Sequence, residues 1–250
     1  MKAVSLVGLV WFMLTVLVVG SRLLVLWQRT RKLPELLLGL AMLCSGFLCF
    51  AVGTAAKLLL TGTPALRSSM TGVGLFVECF GQMLLVAFSW RVFHPKSKLG
   101  AAFGALLGAF ILAAFFGEVL SGQYLRYSDS LVSTGPFVPL GQIARGSAPA
   151  WMSFECFRFH AKARRRLAIG LAEPMVVNRL ALWGAGIGAS AVGYAFTTVH
   201  RLAYGLGLKE HVWALTSVSM LGMVSAICLG TAFFPPTAYR RWVERHAPRA

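Results

Sequence analysis

Long runs of apolar residues, separated by short polar segments, dominate the chain from one end to the other. A helix that crosses the roughly 30 Å hydrocarbon core of a bilayer needs about 20 consecutive, mostly apolar residues. Six runs reach this length, the third of them in spite of Glu78 and Gln82. They lie at about 3–27, 35–59, 72–93, 99–121, 177–199 and 212–234. The pattern therefore predicts an all-α protein that crosses a membrane several times.

A seventh segment, at about 137–160, is less apolar because it contains Arg145, Pro149 and Glu155. The distribution of basic residues indicates whether it spans the membrane. With seven spans, 17 of the 24 Lys and Arg residues lie on one face, including those of 161–176 and of the C-terminal tail 235–250. Without the seventh span, these two basic segments fall on opposite faces. Since Lys and Arg are retained in the cytoplasm, we predict a seven-helix bundle with its N-terminus outside and its C-terminus in the cytoplasm.

The composition is that of a membrane protein, and it changes how the net positive charge is interpreted. Of the 250 residues, 57% are apolar and 13% are charged, whereas about 25% of the residues of a soluble domain are charged. In a soluble protein a net charge of +16 would indicate a nucleic-acid partner. Here the cationic loops have a topological cause. We therefore predict a single transmembrane domain over 1–250 with no nucleic-acid partner, and its compact loops favour a bacterial inner (plasma) membrane.

Prolines recur at an offset of 140 residues. Pro34 and Pro174 open the second and sixth predicted helices, while Pro95 and Pro235 follow the third and the seventh. This favours a 3+1+3 internal repeat, in which helices 1–3 and 5–7 are related and helix 4 joins them. The alternative is that helices of like orientation collect proline at the same ends, because proline fits the first turn of a helix and stops its end.

The predicted topology resembles that of G-protein-coupled receptors and microbial rhodopsins. The resemblance is one of architecture only, since a rhodopsin needs a lysine within its seventh helix to bind retinal, and 212–234 contains none. The inner ends of the third and seventh helices, SWRVF and GTAFFPP, differ from the signatures of receptors. The sequence therefore assigns no family and no cofactor.

Three ionisable residues lie in the outer third of the predicted bundle, namely Glu78, Glu118 and Arg145. Charged groups within hydrocarbon are costly, so each is a candidate functional residue. Polar residues at similar or nearby levels extend the candidate ligand-binding set to Gln82, Gln142 and His200. The alternative is structural, with Arg145 neutralising a carboxylate and holding the fifth helix in place. The longest outer loop, 122–136, is a candidate entrance.

A basic cluster follows the fifth predicted helix in the inner loop 161–176 and consists of Lys162, Arg164, Arg165 and Arg166. Each such residue near the surface attracts anionic lipid headgroups by about 1 kcal/mol. The cluster is therefore a candidate surface for these headgroups or for a cytoplasmic protein partner. A role in topology alone is the alternative.

Small residues recur every four positions in the fourth predicted helix, at Gly100, Gly104 and Gly108. Such spacing lets helices approach closely in lipid. It predicts tight packing within the bundle or, alternatively, a homodimer through this face.

Recognisable motifs for catalysis or metal binding are absent from the sequence. No nucleophile motif and no close metal-ligand spacing occur, and the five cysteines all fall within predicted spans. We therefore predict that the chain is not an enzyme. The best interpretation is a receptor-like or sensory protein that binds a small ligand in an outward-facing polar cavity. A small transporter or proton-coupled carrier and a non-catalytic membrane subunit or scaffold are the alternatives.

Overall fold

The computed structural model describes residues 2–59, 62–123, 135–205 and 208–246, which are helical and contain no β-strand. A π-helical segment, Leu43–Leu48, joins α2 (Leu33–Met42) to α3 (Cys49–Leu59), so that these two form one continuous helical run, here called α2–α3. A 3₁₀ turn, Leu208–Glu210, precedes α8. The α-helices are α1 (Lys2–Thr30), α2 (Leu33–Met42), α3 (Cys49–Leu59), α4 (Pro64–Phe93), α5 (Lys98–Leu120), α6 (Phe137–Leu167), α7 (Pro174–Tyr204), α8 (Val212–Phe233) and α9 (Thr237–Arg245).

Six helical segments of the described chain are long and apolar enough to cross a membrane. They are Leu6–Thr30, Leu33–Ala56, Ala65–Phe93, Lys98–Leu120, Pro174–Tyr204 and Val212–Phe233. Their apolar side chains point largely outwards, since only 22% of the most apolar window of α5 is buried. Apolar surface of this extent belongs in lipid. The chain is thus a helical integral membrane protein, as its sequence pattern predicts.

Proline, serine and glycine set several helix boundaries. Pro34 and Pro174 lie in the first turns of α2 and α7, where the missing N–H has no helical partner to lose. Ser97 caps α5 by accepting a hydrogen bond from the Gly100 N–H at 3.0 Å. Gly205 ends α7 in the left-handed conformation, with a φ of 63°. The shared proline positions agree with the predicted repeat, which itself stays a prediction.

The helices pack as a ring of six with a seventh outside it. Around the ring, α1 packs against α2–α3, which packs against α4, and α4 in turn packs against α6. The ring continues through α7 and α8 back to α1. Helix α5 lies outside the ring, against α4 and α6. Within the described residues the backbones of α4 and α7 do not pack directly against each other, since the two helices lie on either side of α6.

Helix α6 is the segment at 137–160 whose low apolarity left its position open. It is not among the six apolar spans, yet it is continuous over 31 residues, even through Pro149. It runs antiparallel to α5, with Phe137 against Gly117 at one end and Trp151 against Gly104 towards the other. Helix α6 therefore extends along most of a helix that is itself a candidate span.

The glycines of α5 serve mainly packing within the chain. A Cβ on Gly100 would lie 2.5 Å from the Cβ of His94, and a Cβ on Gly104 would lie 3.5 Å from the Trp151 ring. Gly108 has open space around it. Two of the three positions that favour a homodimer face are thus covered within the chain, and the dimer stays a prediction.

The C-terminal tail contains a short helix, α9, that the sequence analysis treated as part of a basic tail. Val243 is buried, and the hydroxyl of Tyr239 accepts a hydrogen bond from Asn178 Nδ2 on α7 at 2.6 Å. The exposed side carries Trp242 and several arginines. Most of the candidate entrance loop, residues 124–134, lies outside the described residues.

Candidate functional site

Three predicted site residues, one each from α4, α5 and α6, meet in a buried cluster. Nη1 of Arg145 lies 3.0 Å from Oε1 of Glu118, and Nε of Arg145 lies 3.5 Å from Oε1 of Glu78. The side chains of Arg145 and Glu118 are 5% and 3% exposed, whereas that of Glu78 is 22% exposed. Arg145 thus pairs with both carboxylates, and Glu78 is the most exposed member of the cluster.

A glycine makes the close approach of α5 and α6 possible. Gly141 lies one helical turn before Arg145 on α6, beneath the carboxylate of Glu118. A Cβ at this position would overlap Oε1 of Glu118 and would lie 3.0 Å from Nη1 of Arg145. The buried ion pair therefore occupies the space that any other residue at position 141 would fill.

A tyrosine that the sequence analysis missed completes the cluster from α7. The hydroxyl of Tyr194 donates a hydrogen bond to Oε1 of Glu78 at 2.5 Å and accepts one from Nε2 of Gln82 at 3.3 Å. Tyr194 therefore connects α7 to α4 through side chains, although α6 separates the two helices in the ring. No signal in the sequence singled it out, since a tyrosine within an apolar span carries no charge.

The two predicted glutamines lie beside this bridge. Gln82 and Gln142 are both buried, at 4% and 3% exposure. Thr198, one turn after Tyr194, donates to Oε1 of Gln142 at 3.4 Å. Oε1 of Gln82 has no hydrogen-bond partner among the described residues. An unpaired buried acceptor costs about 1–3 kcal/mol, so its position suits a hydrogen-bond donor that enters the ring.

His200 lies apart from the carboxylate cluster. Its Nε2 lies 2.9 Å from Nδ1 of His211, and both rings pack with Tyr204 and Trp213. The residue is buried, but its side-chain hydrogen bond joins α7 to the segment that precedes α8. Within the described ranges, no group of three His, Cys, Asp or Glu side chains is placed to hold a metal ion.

The basic cluster belongs to a helix rather than to a loop. Helix α6 continues to Leu167, so Lys162, Arg164, Arg165 and Arg166 lie on its last turns and are exposed. The ammonium of Lys162 lies 4.9 Å from the centre of the Phe159 ring. Cationic side chains also suit the negative end of the helix dipole. This end of α6 presents a compact cationic surface.

A second polar cluster lies ten residues further along α6 from Arg145. Glu155 is 3% exposed, with Oε1 at 2.9 Å from His94 Nε2 and Oε2 at 3.4 Å from Arg158 Nη1. The basic character of the inner face predicts solvated side chains for His94 and His160. This was wrong, because His94 reaches the buried carboxylate and Nδ1 of His160 lies 2.9 Å from the carbonyl oxygen of Val177.

The five cysteines are free and lie within helices, as their positions in the sequence predict. They are Cys44, Cys49, Cys79, Cys156 and Cys228. Comparison with known proteins supplies no further assignment. No family model, no curated protein and no solved structure matches the chain. The chemistry of the clusters is therefore what bears on function.

Proposed function

We propose that this chain is a receptor-like or sensory membrane protein that binds a small cationic ligand in an outward-facing cavity of a seven-helix bundle. The ligand would contact Glu78, Gln82 and Tyr194. The proposed topology places the N-terminus outside and counts α6 as a membrane span. Its course along α5 and the basic residues at its end support that topology.

The sharing of Arg145 between two carboxylates is the observation that carries this proposal. Nη1 of Arg145 lies 3.0 Å from Glu118, whereas the more exposed Glu78 lies at the longer distance of 3.5 Å from Nε of the same guanidinium. A buried charge needs a partner. A cation that donates hydrogen bonds would complete the charge at Glu78 and also satisfy Oε1 of Gln82.

Burial divides the cluster into a fixed part and an accessible part. Glu118 and Arg145 are enclosed between α5 and α6, where their ion pair is the fixed part of the cluster. Glu78 is more exposed and accepts a hydrogen bond from Tyr194 of α7. Ligand binding at Glu78 would therefore change the contact between α4 and α7, which provides a route for a conformational signal.

A conformational signal of this kind needs an output on the cytoplasmic side of the membrane. The cationic end of α6 is the proposed docking surface for a cytoplasmic protein partner or for anionic headgroups. It consists of Lys162, Arg164, Arg165 and Arg166. The protein would lie in the inner membrane of a bacterium.

A binding experiment with simple cations tests the proposal. The purified protein in lipid nanodiscs would be titrated with sodium, calcium, methylammonium and arginine while its thermal unfolding is followed. A ligand at 100 times its Kd stabilises the folded state by about 2.7 kcal/mol. We expect at least one cation to stabilise the wild type, and Glu78→Gln to abolish the effect.

Glu210→Gln is the matched control, since Glu210 is an exposed carboxylate outside the cluster. Its response to cations should equal that of the wild type. The proposal is wrong if no cation stabilises the wild type, or if Glu78→Gln and Glu210→Gln respond alike.

A proton-coupled carrier is the second candidate function. It is favoured by the cluster of Glu155, His94 and Arg158, which places a second buried carboxylate towards the opposite end of α6. Proton flux in proteoliposomes that falls in both Glu78→Gln and Glu155→Gln would support it. A scaffold role, with the ion pair purely structural, predicts no cation response and no flux.

A further inference from the structure

An apolar groove of about 400 Å³ runs along the seam between α1 and α8 on the outside of the ring. Its walls include Trp11, Val18 and Thr15 from α1 and Ile227 and Gly230 from α8. Both helices are candidate membrane spans with mostly exposed apolar faces. The groove therefore opens towards the acyl chains of the bilayer.

Along α1 the groove extends from Trp11 to Val19. These residues rise by about 12 Å at 1.5 Å per residue. This is most of the roughly 15 Å that half of a ~30 Å hydrocarbon core measures. A stretch of one phospholipid acyl chain therefore fits along the groove, and Arg22 lies about one helical turn beyond Val19.

A guanidinium lies at the end of the groove that Phe234 lines. Nη1 of Arg22 donates to the carbonyl of Phe233 at 3.0 Å, and the guanidinium lies 4.5 Å from the centre of the Phe234 ring. Phe234 also lines the groove. These two contacts fix an exposed side chain that has five N–H donors. A guanidinium with exposed donors is well suited to the oxygens of a phosphate.

We propose that the groove between α1 and α8 binds one anionic phospholipid, with an acyl chain along the groove and its phosphate at Arg22. The fixed guanidinium favours an anionic headgroup over a zwitterionic one. Arg240 strengthens this preference, since it follows Pro236, another lining residue, by one helical turn and is exposed at the same end. This lipid site is independent of the cluster formed by Glu78, Glu118 and Arg145.

Spin-labelled lipids test the proposal on the reconstituted full-length protein. The association of spin-labelled phosphatidylglycerol would be compared with that of spin-labelled phosphatidylcholine by electron spin resonance. We expect the wild type to prefer phosphatidylglycerol. Arg22→Gln should lower the preference about fivefold, the effect of one cation near the surface. Arg22→Lys should retain most of it.

A second variant acts on the groove rather than on the charge. A Cβ on Gly230 would lie 3.8 Å from Thr15 Cγ2, which is an ordinary van der Waals contact, so the side chain of Gly230→Leu can extend into the groove and fill part of it. It should lower association of phosphatidylglycerol although Arg22 is intact. Gly108→Leu is the matched control, because Gly108 has open space around it on another helix.

Arg29→Gln controls for the general charge of this end, since Arg29 is exposed on the same helix beyond the groove. The proposal is overturned if Arg29→Gln lowers the lipid preference as much as Arg22→Gln does. It is also overturned if Arg22→Gln and Gly230→Leu both retain the wild-type preference.

Discussion

The buried ion pair of Arg145 and Glu118 depends on a neighbouring residue that has no side chain. Gly141→Ala would place a methyl group on the Glu118 carboxylate and force the pair apart. Because separated buried charges lose their compensation, we expect the free energy of unfolding to fall by about 3 kcal/mol. Thermal unfolding in nanodiscs measures this loss.

Gly193→Ala is the matched control for that substitution. Gly193 is also helical, but no atom lies within 4 Å of a Cβ built there. Alanine at this position should leave the stability unchanged or raise it slightly. Equal losses in the two variants would contradict the steric explanation.

The charges of the cluster should be coupled in a double-mutant cycle. Arg145→Gln leaves Glu78 and Glu118 without their shared cation, and we expect a loss of about 3–5 kcal/mol. Glu118→Gln should cost less, because Arg145 keeps Glu78 as its partner. The double variant should be more stable than Arg145→Gln alone. Additive losses in unfolding experiments would show that the pair is not coupled.

Sequence reasoning found the charged members of the cluster but not its uncharged bridge. The ionisable residues Glu78, Glu118 and Arg145 were predictable, because each is costly in hydrocarbon and all three fall at one depth. Tyr194 and the partnership of His94 with Glu155 were not predictable, because they depend on which helices face each other. Periodicity along one helix does not contain that information.

At the scale of elements, α9 is the clearest feature that the structure shows and that the sequence pattern does not predict. Its buried side rests on α7 through Val243 and the hydrogen bond between Asn178 and Tyr239, while its exposed side carries Trp242. A short helix that exposes an aromatic residue beside arginines suits the plane of the membrane interface. A nine-residue helix is too short for the windows that detect spans, so the sequence pattern missed it.

Tyr239→Phe should loosen α9 without unfolding the bundle. The variant loses one hydrogen bond and leaves the Asn178 amide without that partner, at a cost of about 1 kcal/mol. Hydrogen exchange of the amides in Thr237–Arg245 should become about fivefold faster. Exchange in α7 should stay as in the wild type.

Glu244→Gln provides the control, since Glu244 is exposed on the same helix. Faster exchange in this variant as well would mean that α9 is held by its surface charges rather than by Tyr239.

At the scale of the whole molecule, α6 determines how many times the chain crosses the bilayer. Six spans follow from hydropathy, whereas α6 crosses only if packing compensates its polar residues. In a cysteine-free background, we expect Lys96→Cys and Leu171→Cys to react with a membrane-impermeant maleimide from the same side. Both positions are exposed, and seven spans place both on the basic face.

Thr63→Cys reports on the opposite face in the same experiment, because Thr63 is exposed immediately before α4. It should react only from that other side. Labelling of Leu171→Cys together with Thr63→Cys would mean that α6 does not cross.

The ion pair between α5 and α6 also has a consequence for biosynthesis. A segment that carries Arg145, Glu155 and Arg158 is unfavourable for insertion on its own, since each central charge costs about 2.5–3.5 kcal/mol at the translocon. Helix α5 leaves the ribosome first, and its Glu118 can receive Arg145 before α6 meets lipid. We therefore expect Glu118→Leu to reduce membrane integration of α6 in a glycosylation-mapping assay, although it makes α5 more apolar.

Gly108→Leu also makes α5 more apolar, but it leaves Glu118 in place. We therefore expect α6 to integrate normally in this variant. Equal integration of α6 in both variants would mean that its insertion does not depend on the ion pair. If the expectation holds, the nascent chain inserts α5 and α6 as a unit, and a substitution in one helix becomes a defect in the delivery of the other.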